Sequence, residues 1–147
     1  VASYLLEGRP SRTYVRTKAL MHTDEALWFD LMDALADLAI DSLRSQIDAG
    51  VSAIQLFDSW AGALSPSVYE RCVLPYSRRV FEGVVDTGVP RIHFGVNTSE
   101  LLGLIASAGA EVVGVEVVEA AGRRARGRRP RPCRPQPCTH GTRMIRA

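Results

Sequence analysis

Cysteine is scarce in this chain. Three residues, at positions 72, 133 and 138, are too few for a disulfide scaffold and suit a reducing, cytoplasmic compartment. No apolar run approaches the roughly 20 residues needed to cross a bilayer, so no membrane partner is expected. The opening residues, Val1-Ala2-Ser3-Tyr4, carry neither an initiator Met nor a basic-then-apolar signal pattern. The start therefore reads as the middle of something longer. Lysine and aromatic residues are both missing from residues 118–147. What is present is ordinary for a soluble globular chain: 147 residues, 46% hydrophobic and 23% charged, enough for one domain with a real core.

Charge divides the chain in two. Residues 1–117 hold nine basic and 15 acidic side chains, whereas residues 118–147 hold nine Arg and a single acid, Glu119. An acidic body followed by a basic tail is best treated as two segments, 1–117 and 118–147.

The body opens with a short apolar stretch, residues 2–8, predicted as one or two helical turns. Ser11 can cap a second short helix over residues 13–21, whose Arg12, Arg16 and Lys18 form a solvated basic face. Residues 24–49 are predicted as a long helix, capped by Thr23 or Asp24. Leu27, Leu31, Leu35, Leu38, Ala39, Leu43 and Ile47 recur at three- and four-residue steps as its buried stripe. Asp30, Asp33, Asp37, Asp41 and Asp48 fall largely off that stripe, as solubilising acids do, and Gly50 ends the helix.

Residues 51–57 are a nearly continuous apolar run, as in a parallel strand covered on both faces. Small and polar residues follow, Asp58, Ser59 and Gly62, and then Ser65-Pro66, a cap with proline at the first helical position. The next helix should break or kink at Pro75 and continue to about Asp86. After a turn at Gly88-Val89-Pro90, residues 91–94 read as a second strand. A helix capped by Thr98 or Ser99 runs to Ala108, and residues 111–117 form a third strand. Helices followed by β-α-β-α-β with short connections predict a parallel sheet. The pattern fits a sector of a (β/α)8 barrel and a doubly wound sheet equally well. Either way, α/β folds put their chemistry where residues 58–62 lie, at the end of a strand.

From Ala120 the periodicity dissolves into Arg, Gly, Ala and Pro, without strands, so the tail is expected to be disordered and dispensable. Its one-sided Arg usage resembles a GC-rich reading frame translated after a shift. A disordered tail and an Arg-rich arm for nucleic acid or a membrane surface are the other readings. Cys133, Cys138 and His140 form no convincing zinc site, because the two cysteines stand five apart with no fourth ligand.

Several segments together carry a family resemblance: residues 2–8 (ASYLLEG), 16–18 (RTK), 55–62 (QLFDSWAG), 74–76 (LPY) and 109–115 (GAEVVGV). In that order they resemble uroporphyrinogen decarboxylase, over roughly its middle third. QLFDSWAG is the specific segment. The resemblance implies a (β/α)8 TIM barrel acting as a homodimer without metal or organic cofactor. It implies removal of the carboxyl groups from the four acetate side chains of uroporphyrinogen III, giving coproporphyrinogen III in porphyrin and heme biosynthesis. Tyr4 matches the family's substrate-pocket tyrosine, and Ser59 matches its substrate-binding hydroxyl after the central strand. Phe57 and Asp58 are candidate pocket residues beside them. At Asp58, where the family uses an acid, a buried loop anchor and a catalytic role both fit.

No catalytic residue of the family falls within the chain. The family's Arg-rich clamp and catalytic Asp would precede Val1, and its late N-x-G-H-G histidine would follow Ala147. His140-Gly141 does not match that segment. Where the family reads G-V-D-W, this chain has Gly114-Val115-Glu116-Val117, and the resemblance ends there. The 147 residues alone are therefore expected to be inactive. Two other readings remain. Cobalamin-linked methyltransferases share the barrel and place a zinc-binding H-x-C-G on the second strand; here that stretch is His93-Phe94-Gly95-Val96, without the soft ligand. The third reading is a non-catalytic, Arg-tailed binding module.

Overall fold

The computed structural model describes residues 1–116 together with the backbone of residues 142–146. Cys133, Cys138 and His140, rejected above as a zinc site, and most of the basic tail lie outside the described residues.

Three helices come first: α1 (Ala2–Glu7), α2 (Val15–Thr23) and α3 (Glu25–Asp48). Ser11 organises the entry to α2, its Oγ accepting from the backbone N–H of Tyr14 at 3.0 Å. Glu7 then ties α1 to α2. Its Oε1 accepts from both the backbone N–H and the hydroxyl of Thr17, each at 3.0 Å. The Thr17 backbone bond is the main reason the Glu7 carboxyl sits below its ordinary range. Asp24 caps α3 as predicted, accepting from Leu27 N at 3.0 Å. At the far end Gly50 adopts φ +88°, which an L side chain rarely tolerates.

The buried arc of α3 differs from the predicted stripe. Leu27 and Leu38 are 53% and 64% exposed, whereas Trp28, Ala36 and Leu43 are buried, flanked by Met32, Ile40 and Ile47. Trp28 draws the helix round, because its indole Nε1 donates to the Cys72 carbonyl at 3.0 Å deep in the core. The acids of α3 also do more than solubilise. Arg79 of a later helix pairs with both Asp33 and Asp37, the latter at 2.6 Å.

The strand after Gly50 is shorter and later than predicted: β1 spans Ile54–Asp58, so Asp58 belongs to the strand and not to its exit loop. Helix α4 (Pro66–Cys72) starts on the Ser65 cap, whose side chain accepts from Val68 N. The break before Pro75 falls at Val73, and α5 (Leu74–Glu82) follows, ending four residues earlier than predicted. Strand β2 (Arg91–Val96), α6 (Leu102–Ala106) and β3 (Val112–Glu116) complete the two crossovers. Thr98 precedes a short 3-10 turn but makes no side-chain cap bond.

Strands β1, β2 and β3 pair in parallel and in sequence order. Leu56, His93 and Val113 are in register, as are Asp58, Gly95 and Val115. At its start β2 is clamped to the segment leading into β3: Glu111 accepts from the Arg91 backbone N–H at 2.8 Å and from its guanidinium. Those bonds hold the Glu111 carboxyl at about 2.

Both crossovers pack on one face of the sheet. Tyr69 of α4, Phe81 of α5 and Ile105 of α6 share a core with Val113 and Val115. The opposite face carries Phe57, 63% exposed, edge-on to Phe94 at 5.5 Å, with half-buried Ile92, Val96 and Val112. The continuous apolar run had suggested cover on both faces. Among the described residues, helices cover one.

A further strand, β4 (Thr142–Arg146), pairs antiparallel with β3, Val113 opposite Ile145. This corrects the expectation of a tail without strands. The pairing partner is distant in sequence, so no local pattern could announce it.

Candidate functional site

Alternation along β1 sends Ile54, Leu56 and Asp58 to the helix-covered face and Phe57 to the other. Asp58 thus ends the strand facing α4 and α5, with 19% of its side chain exposed. One of its oxygens, Oδ2, gathers three donors. Tyr69 Oη of α4 donates at 3.1 Å, Ser77 Oγ of α5 donates at 3.0 Å, and His93 Nε2 of β2 lies 2.8 Å away. Burial pushes the Asp58 carboxyl up, but the hydrogen bonds from His93, Ser77 and Tyr69 and the His93 charge outweigh it, and the net direction is down. The Tyr69 phenol moves up, first through burial and then through the Asp58 charge. Of the two roles open to Asp58, the geometry is that of an anchor: one carboxylate oxygen joins β1, β2, α4 and α5.

Ser59 and Trp60 follow directly. Together with Phe57 and Asp58 they line a cavity of about 210 Å³ bounded by α2, α3 and α5. The cavity is largely apolar, with Tyr14, Met21 and Trp28 on its walls. Lys18 reaches it from α2 and so is not simply part of a solvated face. Asp58 is the one acid lining it among the described residues. Tyr4 stands apart: it lies in a separate recess with Tyr14 and Trp60, half-exposed, its ring 6.4 Å from Trp60 and steeply inclined to it. Of the four residues singled out by sequence, Phe57, Asp58 and Ser59 share the cavity, and Tyr4 sits across Trp60 from them.

Gly62 closes the loop. A Cβ there would lie 2.5 Å from the carbonyl oxygens of Val96 and Asn97, so the turn after Trp60 packs directly on the exit of β2. Both contacts are to backbone, which cannot swing away. Gly62→Ala is therefore expected to lower stability by about 1–3 kcal/mol, read as a reduced urea midpoint with unchanged slope.

The whole of this arrangement falls inside a region of marked similarity to known proteins. The family model described as Uroporphyrinogen decarboxylase (URO-D) matches residues 1–133. The chain belongs to the uroporphyrinogen decarboxylase family. It is 64% identical over 115 residues to the uroporphyrinogen decarboxylase of Streptomyces coelicolor, covering 78% of this chain and 32% of that relative. The corresponding enzyme of Nocardia farcinica is 60% identical over 115 residues, covering 78% and 32%. That of Saccharopolyspora erythraea is 62% identical over 119 residues, covering 78% and 33%. The chain thus spans about a third of the length of the curated relatives it matches.

The methyltransferase reading meets two obstacles in the same strand. His93, its first zinc ligand, has Nε2 against Asp58 and Nδ1 3.3 Å from the Ile105 carbonyl. At Gly95, where that family carries cysteine, a Cβ would sit 2.6 Å from the Thr98 hydroxyl oxygen and 2.7 Å from its methyl.

Sequence reasoning missed Tyr69, Ser77 and His93 as partners of Asp58. A usable signal existed. His93 is a polar residue inside an apolar strand, and Asp58 is two positions beyond Leu56 on the face that packs against the helices.

Proposed function

We propose that this chain supplies the central sector of a uroporphyrinogen decarboxylase, a carboxy-lyase of porphyrin biosynthesis. The observation that carries the reading is that Phe57, Asp58 and Ser59 of the family-matched QLFDSWAG segment share one cavity at the end of β1. The reaction removes the four acetate carboxyl groups of uroporphyrinogen III. A proton adds to a pyrrole α-carbon, the bond to the carboxylate breaks, and CO₂ leaves. The bonding pair neutralises the cation, the resulting methylene takes a second proton to become methyl, and the first proton leaves the α-carbon to restore the neutral pyrrole. In this scheme the Ser59 hydroxyl donates to a substrate carboxylate, and the Tyr4 phenol orients a second carboxylate from across Trp60.

Two features support a (β/α)8 barrel as the complete fold. The parallel strands follow sequence order. Both crossovers also cover the same face, whereas a doubly wound sheet carries helices on both. The partly open face with Phe57 and Phe94 would then be the barrel interior. The complete protein is read as a cytoplasmic homodimer that needs neither metal nor organic cofactor. No described helix is long and apolar enough to cross a membrane.

The test is transplantation. The matched 115-residue stretch, placed in the Streptomyces coelicolor relative, is expected to support decarboxylation of uroporphyrinogen. In that protein Tyr4→Phe and Ser59→Ala should each lower kcat/KM about tenfold, as loss of one hydrogen bond to a charged group does. Unchanged rates in both variants would remove these residues from the site.

A further inference from the structure

We propose that Asp58 and His93 form a buried carboxylate–imidazolium pair whose role is to position Ser59 at the cavity. His93 is 0% exposed, so neither ring nitrogen faces bulk solvent. Nδ1 faces the Ile105 carbonyl oxygen at 3.3 Å. A carbonyl oxygen has no proton to give, so Nδ1 must donate. Nε2 faces Asp58 Oδ2 at 2.8 Å, an oxygen that already accepts from Tyr69 and Ser77. Hydroxyl donors around an oxygen hold it as an ionised acceptor. Nε2 must then donate as well. A neutral imidazole has one N–H, and two are required here; the ring is charged.

The surroundings are consistent with a single counter-ion. From β1 the ring faces Asp58. From α4 and α5 come the Tyr69 and Ser77 hydroxyls, bonded to the same carboxylate. The edge of Phe81 packs on the ring at 5.2 Å. Val113 of β3 is its register neighbour, and α6 contributes only the Ile105 carbonyl. The next charges on the same face of β2 and its neighbour, Arg91 and Glu111, pair with each other.

With three donors on Oδ2, Asp58 is not a reacting acid. It fixes the last residue of β1 against two helices and the adjacent strand, and Ser59 is the next residue. This positioning role rests on the reading that Ser59 meets a substrate carboxylate. The ion pair itself does not.

The experiment uses the transplanted protein described above, labelled with ¹⁵N in its histidine rings. At pH 7 the expected His93 signals, assigned by their loss in His93→Gln, show both ring nitrogens protonated. One unprotonated nitrogen would overturn the ion pair, and that arm needs no substrate. In steady-state assays His93→Leu is expected to raise KM at least fivefold with a smaller change in kcat. His93→Gln, which keeps one N–H toward Asp58, should recover most of the loss. In a Ser59→Ala background His93→Leu should have no further effect on KM. An equal effect with and without Ser59 would overturn the positioning role. Wild-type rates for Ser59→Ala alone would overturn both that role and the substrate-site reading, with the ring signals still deciding the ion pair. Should His93→Leu fail to fold, the Gln variant and the ring signals carry the test.

Discussion

Replacing Asp58 with alanine is expected to cost about 3–5 kcal/mol of folding stability, the range for removing one member of a buried charge pair. Three donors lose their acceptor at once: the Tyr69 and Ser77 hydroxyls and the His93 ring. The ring is fully buried, so it cannot recover solvation without opening the core. Domains are typically stable by only about 5–15 kcal/mol, so the variant is expected to be largely unfolded at modest urea concentrations. Adding His93→Leu should restore part of the loss, because it removes the buried ring nitrogen left without its acceptor. A double-mutant cycle in urea should show a coupling on the order of 1–3 kcal/mol. Additive losses would mean that Asp58 and His93 are neighbours without an ionic interaction.

The second large effect is on activity. The 147-residue polypeptide by itself is expected to give no decarboxylation of uroporphyrinogen above background, measured by chromatography of the oxidised porphyrins. Stabilising a pyrrole cation calls for a fixed anion that is free to face it. Asp58 is the one acid lining the cavity among the described residues, and its Oδ2 is occupied by three donors. Ser59 and Tyr4 can orient a carboxylate but cannot supply that anion. Turnover by the isolated chain would show that its own residues complete the chemistry, and the reading of a sector needing the rest of the enzyme would fall.

Local signals in the sequence translated well. Asp24 and Ser65-Pro66 mark helix starts, and Gly50 and Val73-Leu74-Pro75 mark stops or breaks, because each acts within a few residues through one hydrogen bond or one dihedral angle. The face of α3 was less legible. Apolar residues occupy more than one arc of that helix, and periodicity cannot say which arc a partner will cover. Trp28, bonded to the Cys72 carbonyl, decides it, and that contact spans 44 residues. The site divides the same way. QLFDSWAG marks where the strand ends, so Phe57, Asp58 and Ser59 could be singled out together from the sequence. Whether Asp58 reacts or anchors depends on Tyr69, Ser77 and His93, which come from three other elements and meet only in the folded chain.

The outer edge of β3 can take only one neighbour. A line of backbone N–H and C=O groups admits either an antiparallel or a parallel partner, not both together. In this structure residues 142–146 run antiparallel along it. Growth of the sheet past Glu116 by another parallel strand would need the same hydrogen-bonding groups. While residues 142–146 are seated, no further parallel strand can pair directly with β3, and continuing the parallel order of β1, β2 and β3 at that edge requires their displacement.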